Sequence, residues 1–212
     1  MDTAHERGPD RSMAVRRYRE HADSYDTQTQ WASPDRARVV ELLDPRRGDV
    51  VLDVGCGTGL CFERVLDRIG PSGRLVAVEQ CDEMLHRAEW RVKEAGWENV
   101  DLLLGSIEDV DLDDELDAVL LCFTHDVLRS PPALARVLGR LRPGGRVAAA
   151  GPMWAPWWAP GMNVMIWYVA SQYVTTFEGF AAPWDRLAEL VPDLRVEPQE
   201  LAGMFFATGT RP

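Results

Sequence analysis

Lysine is all but missing from this 212-residue chain: Lys93 is the only one, set against 34 acidic residues and a net charge of −11. A phosphate backbone needs a basic face, and no basic stripe exists here, so DNA and RNA are excluded as partners. Arginine supplies the cations instead, a composition that reads as the codon usage of a GC-rich bacterial genome. Cysteine is scarce too. Cys56, Cys61, Cys81 and Cys122 show no Cys-x-x-Cys spacing, which speaks against a thiolate metal site and for reduced thiols packed as small apolar groups. No metal is expected. No apolar run reaches the 18 residues of a spanning helix, so no membrane partner is expected either. The polar, mixed-charge start is no signal peptide, and the expected location is the cytoplasm. At 46% hydrophobic and 27% charged, the chain has the composition of one globular domain with a sizeable core.

Apolar strands alternate with helical patterns through most of the chain. Strands are expected at 50–54, 74–79, 100–104, 116–122 and 145–150, with helices at about 58–69, 82–95 and 130–141 between them. Such alternation specifies a parallel sheet with helices on both faces and right-handed crossovers. A loose helical pattern occupies 11–28, and Ser33-Pro34-Asp35 opens a second helix that ends at Asp44-Pro45. Beyond residue 152 the rhythm breaks into a proline-bounded stretch rich in aromatic and thioether side chains. Trp154, Trp157, Trp158 and Trp167 are four of the chain's eight tryptophans. Helices are expected there at about 161–173 and 183–190. The end, 194–197 and 204–208, reads as an antiparallel hairpin.

The richest segment is Val51-Leu52-Asp53-Val54-Gly55-Cys56-Gly57-Thr58-Gly59. An apolar strand ends in an acid and runs into three alternating glycines. Gly55, Gly57 and Gly59 permit a sharp turn and close approach to a ligand, and the following helix would aim free N–H groups at the same place. Asp53 suits a cationic amine. About 20 residues on, Val76-Ala77-Val78-Glu79 is a second strand ending in an acid, placed to accept ribose hydroxyls. Leu60 stands where a dinucleotide fingerprint has its last glycine.

With Gln80-Cys81-Asp82-Glu83-Met84-Leu85, Gly105-Ser106-Ile107-Glu108 and Leu141-Arg142-Pro143-Gly144-Gly145 following in order, residues 35–150 resemble the class I S-adenosylmethionine-dependent methyltransferases. The likeness is nearest to the small-molecule, quinone-biosynthesis group. It implies an α/β, Rossmann-like, doubly wound seven-stranded sheet of order 3-2-1-4-5-7-6 with an antiparallel last strand, N-terminal helices and an aromatic-rich helical insert after strand 5. One domain would divide into a helical cap (1–45), a cofactor-binding core (46–150), a substrate lid (151–192) and a closing hairpin (193–212). The implied cofactor is S-adenosylmethionine, leaving as S-adenosylhomocysteine. Its expected contacts are Asp53, Gly55, Cys56, Gly57, Thr58, Gly59, Glu79, Gln80, Met84, Ser106, Ile107, Glu108 and Phe123.

His125 follows strand four, beside the place the resemblance gives the methyl group, and is the candidate general base, since imidazole titrates near neutrality. The other reading of His125 is a hydrogen bond to the cofactor tail or a helix cap. Tyr18, Tyr25, Trp31, His125, Trp154, Trp157, Trp158 and Trp167 are expected around a flat apolar acceptor, aromatic or polyketide-like, methylated on O, C or N. The other readings of that aromatic surface are an ordinary amphipathic helix packed on the sheet and a homodimer patch. Three alternatives to methyl transfer stay open: a bound sulfonium that assists pericyclic, cyclisation or decarboxylation chemistry, a nicotinamide oxidoreductase, and a non-catalytic binding module.

Overall fold

The computed structural model describes residues 9–112 and 115–212; residues 1–8 of the expected cap lie outside this set. In chain order the elements are α1 (Arg11–His21), α2 (Tyr25–Gln28), α3 (Ser33–Leu43), β1 (Val50–Val54), α4 (Phe62–Ile69), β2 (Arg74–Glu79), α5 (Asp82–Ala95), β3 (Val100–Leu104), β4 (Leu116–Cys122), α6 (His125–Leu128), α7 (Pro131–Arg140), β5 (Leu141–Pro152), α8 (Pro160–Ala170), α9 (Asp185–Leu190), β6 (Arg195–Gln199) and β7 (Met204–Thr210). The seven strands form one sheet of order β3-β2-β1-β4-β5-β7-β6. β7 runs antiparallel to both of its neighbours while β1 to β5 are parallel. The expected topology is the observed one.

Strand periodicity divides the core of the sheet into two layers, with smaller clusters under the insert and under the N-terminal helices. Successive residues of a strand face opposite sides of the sheet. Accordingly Leu52, Val119, Leu121, Val147 and Phe205 pack with Leu134 and Val137 of α7 on one face. Val51, Leu75, Ala118, Leu120 and Phe206 pack with Val39, Val40 and Leu43 of α3 and with Phe62, Val65 and Ile69 of α4 on the other. Each fully buried side chain of this kind stabilises the fold by roughly 1.5–3 kcal/mol. β3, at the sheet edge, is only half covered, with Leu104 exposed.

Three elements differ from the sequence expectation. The helix expected from Thr58 begins only at Phe62. Gly55, Gly57 and Gly59 all adopt positive φ, which a right-handed helix cannot contain, so residues 55–61 form consecutive turns instead. β5 begins at Leu141, which pairs with Leu116 before residues 142–145 bulge out and the ladder resumes at Arg146 and Ala118. The first helical segment is two helices, α1 and α2, broken around residues 22–24. No helix among the described residues is long and apolar enough to cross a membrane.

Candidate active site

A cleft of about 690 Å³, counting its open mouth, lies beyond the carboxyl ends of β1, β2 and β4. This is the topological switch point of the sheet, where crossovers leave β1 and β4 in opposite directions and loops part. Gly55, Gly57, Glu79, Gln80, Ser106, Ile107, Phe123 and His125 line it, roofed by Tyr18, Tyr25 and Tyr173. Gly55 must be glycine: at φ +66° a Cβ would stand 2.8 Å from Thr124 Cγ2. Glu79 organises the loop. Its Oε2 accepts from the Gly57 N–H at 2.9 Å and its Oε1 from the Cys81 N–H at 2.8 Å. Burial raises its proton affinity, and those backbone bonds pull it back down.

Unsatisfied polar atoms gather around this cleft: Thr124 and His125 line it, whereas Asp53, at the tip of β1, is buried and not one of its lining residues. Six buried side-chain nitrogen or oxygen atoms lack a hydrogen bond among the described residues, and four of them are Asp53 Oδ2, Thr124 Oγ1 and both ring nitrogens of His125. Native proteins rarely leave such groups unpaired unless a ligand or water meets them. Burial, then the nearby Glu79 carboxylate, pushes Asp53 up to about 7. His125 packs edge-on against Phe180, with ring centroids 4.9 Å apart. It is 3% exposed, and burial with the Arg129 charge lowers its pKa to about 4.

A second, larger cavity of about 1110 Å³ adjoins the first. Its walls are mostly apolar: Pro152, Met165, Ile166, Val169, Ala170 and Met204, with Trp31 at the rim and Arg36 buried behind. Tyr18, Tyr25, Phe123, Tyr173 and Val174 border both cavities. The rings of Tyr18, Tyr25 and Tyr173 lie 5.8–6.1 Å apart in tilted and edge contacts. Phe123 reaches the junction through a left-handed backbone, φ 60°, at the tip of β4.

Several expected contacts lie elsewhere. Thr58 donates to Asp26 at 2.5 Å, Arg91 closes the same carboxylate at 2.6 Å, and the three together clamp α2 to the glycine loop and α5. Met84 is fully buried beneath Gly57, outside the cleft wall. Cys56 and Gly59 shape the loop from behind. Glu108 is engaged by Arg11 and Ser130, so it ties α1 to the start of α7. His125 borders the first cavity and not the second.

The insert tryptophans also sit apart from both cavities. Trp157 is 88% exposed, Trp158 and Trp167 are largely exposed, and Trp154 stacks on Phe177. For Trp167 the reason is helical phase: α8 turns Ile166 and Val169 toward the second cavity, which carries Trp167 outward, while Trp154, Trp157 and Trp158 precede the helix. Sequence reasoning missed Arg36, Tyr173 and the inner face of α8. Arg36 had a readable signal, since it occupies the apolar stripe of α3 with Val39, Val40 and Leu43.

The geometry fits an amino-acid-bearing nucleoside. A buried acid with an open oxygen, a strand-tip carboxylate and a glycine loop without Cβ atoms are the groups such a molecule uses. Comparison with known proteins agrees. Residues 51–145 match the family model described as methyltransferase domain. A nocamycin O-methyltransferase from Saccharothrix syringae is 32% identical over 138 residues, covering 64% of this chain and 49% of that protein. A demethylmenaquinone methyltransferase from Listeria monocytogenes serotype 4b is 30% identical over 141 residues, covering 63% and 58%. The chain thus spans about half the length of these curated relatives. Among solved structures, geranyl diphosphate methyltransferase in complex with SAM superposes with a TM-score of 0.64 over 97% of this chain and 96% of that one, at 15% identity, a likeness of fold. Residues 51–145 thus match a methyltransferase domain, and in motifs and sheet order the chain is similar to the class I S-adenosylmethionine-dependent methyltransferases.

Proposed function

We propose that this chain transfers a methyl group from S-adenosylmethionine to a small, largely apolar acceptor of the aromatic or polyketide class. The observation that carries the reading is the common wall. A polar, glycine-lined cleft and an apolar cavity meet across Tyr18, Tyr25, Phe123 and Tyr173. Such a pair of compartments suits a charged donor and an apolar acceptor that must meet at one point. The nocamycin relative, an O-methyltransferase by name, is consistent with an oxygen acceptor.

When bound, S-adenosylmethionine supplies an electrophilic methyl group whose reactivity is its own. The task left to the chain is alignment and exclusion of water. In this reading Asp53 meets the cofactor amine and Glu79 a ribose hydroxyl, while Gln80, Ser106 and Ile107 flank the base. His125 is neutral near pH 7 because burial lowers its pKa to about 4. That makes it a weak base, and it borders only the donor cleft. Its role is to hydrogen-bond the donor. Deprotonation then falls to water or to an acceptor that is already acidic.

Calorimetric titration with S-adenosylhomocysteine, repeated on Glu79→Ala, tests the donor site. Incubation of labelled S-adenosylmethionine with a panel of phenols and enols tests the transfer. Binding that the variant loses, with label in the product, supports the proposal. Product without label points to sulfonium-assisted chemistry, and absence of binding sinks both.

A further inference from the structure

We infer that the acceptor bears an acidic oxygen group, ionised near neutral pH, that docks on Arg36. The inference rests on the function proposed above only for which cavity the acceptor fills. Arg36 is 5% exposed and is the one residue with a formal charge lining the second cavity among the described residues. Its Nη1 donates to the Thr29 carbonyl at 2.8 Å and its Nη2 to Thr29 Oγ1 at 2.9 Å. Its guanidinium lies 5.4 Å from the centroid of the Phe123 ring. The Tyr25 hydroxyl also lies within hydrogen-bonding reach of Arg36. Every one of these partners is neutral.

The comparison with the other buried arginine is instructive. Arg129 is paired with both Asp185 and Glu178, and the largely buried Arg146 is paired with Asp49. Burying a cation without a counter-charge is costly, and proteins pair such groups or use them. No carboxylate among the described residues pairs with Arg36. Asp35, next to it on α3, feels the Arg36 charge only at a distance and has its own pKa raised by burial. Tyr25 stays neutral, because burial lifts its hydroxyl far above the ordinary range against the pull of Arg36. The cavity therefore presents one positive charge on apolar walls.

A guanidinium carries five N–H donors in a planar fork, and the two bonds to Thr29 hold it while leaving others for a ligand. The matching ligand is a flat apolar body with one carboxylate or ionised enol. A neutral acceptor of the same shape would leave the charge unmet.

The test needs no knowledge of the natural acceptor. A naphthoic acid and its carboxamide are titrated into the full chain by calorimetry, with and without S-adenosylhomocysteine. The acid should bind about ten-fold or more tighter than the carboxamide, as a charge-assisted hydrogen bond implies. Arg36→Met should erase the preference and Arg36→Lys should keep part of it, with S-adenosylhomocysteine affinity unchanged in both as the check on folding. Equal affinity of acid and carboxamide for the wild type, or no binding of either at millimolar concentration, overturns the inference. Loss of S-adenosylhomocysteine binding alone, with the acid preference intact, sinks the donor assignment and leaves the anion site standing.

Discussion

Asp53 should make the ligand-free protein less stable as pH rises, and Asp53→Asn should remove that dependence. The carboxyl is buried at the tip of β1, its Oδ2 has no hydrogen bond among the described residues, and burial with the Glu79 charge pushes its pKa from 3.8 to about 7. Between those two values the native state keeps a proton that the unfolded chain has lost, so the native state binds more protons and its stability falls with pH. The loss accumulates from about pH 4 to about pH 7 and is complete above. A shift of that size corresponds to something on the order of 4 kcal/mol. At roughly 2–4 °C per kcal/mol for a chain of this length, Asp53→Asn should melt several degrees above wild type at pH 8 and near it at pH 4. Thermal denaturation of both proteins from pH 4 to 8 reads this directly. Taking the difference between them cancels Asp126, whose raised pKa acts in the same direction, and leaves Asp53 together with its coupling to Glu79. The same substitution should weaken S-adenosylhomocysteine about 100-fold, since a hydrogen bond to a charged group contributes roughly 1.5–3 kcal/mol and the buried amine would be left unpaired. A stability difference that stays constant from pH 5 to 8 would refute the reasoning.

Other perturbations separate the two cavities. Gly55→Ala places a methyl 2.8 Å from Thr124 Cγ2 at φ +66°; it should cost about 1–3 kcal/mol in melting experiments and weaken cofactor binding further. His125 is held neutral with a pKa of about 4, so the unfolded chain takes up a proton that the native state refuses as pH falls below 6.5. Wild type should therefore lose roughly 2 kcal/mol between pH 7 and pH 5 from this group alone, and His125→Gln should abolish that loss. In a rate profile, no inflection belonging to His125 should appear between pH 6 and 8. Val169→Glu, on the acceptor wall, should raise the acceptor KM with S-adenosylhomocysteine affinity unchanged. Trp157→Ala should leave steady-state kinetics as they are and shift stability by less than about 0.5 kcal/mol, because the side chain is 88% exposed.

The sheet was legible because its information is local. β1, β2, β5 and β7 announce themselves by an apolar run beside a glycine turn, and the acids Asp53 and Glu79 fall at strand ends where the fold opens. Val51 and Leu52, adjacent in sequence, needed no further instruction to enter opposite layers of the core. The lid was less legible because its meaning depends on helical phase relative to a distant surface. A run such as Val164 to Tyr168 is apolar all round, so nothing in it tells which side meets the cavity, and Trp167 and Met165 were equally eligible. The engagement of the Thr58 hydroxyl was hidden for a related reason. Its competitor, Asp26, is 32 residues away, and no local pattern reports that a hydroxyl is already engaged.

The junction between the cavities explains where the chain accepts local strain. β4 is followed by Phe123, whose φ of 60° is a conformation that non-glycine residues seldom take, at a cost on the order of 1–3 kcal/mol. The conformation is held by the Phe123 N–H donating to Ala150 at 2.7 Å, by Trp31 edge-on at 6.5 Å and by the Arg36 guanidinium. A glycine would relieve the strain and open the wall, joining the polar cleft to the apolar cavity as one wet groove. An aromatic ring there, with Tyr18, Tyr25 and Tyr173, narrows the passage to apolar edges. The Arg36 contact gives that wall a second property: an anion drawn to the guanidinium comes to rest against the ring that borders the donor. Phe123 and Arg36 meet at this junction, His125 lines the polar cleft and Asp53 stands at the tip of β1 before the glycine loop, and each is a stability cost that a bound ligand would offset.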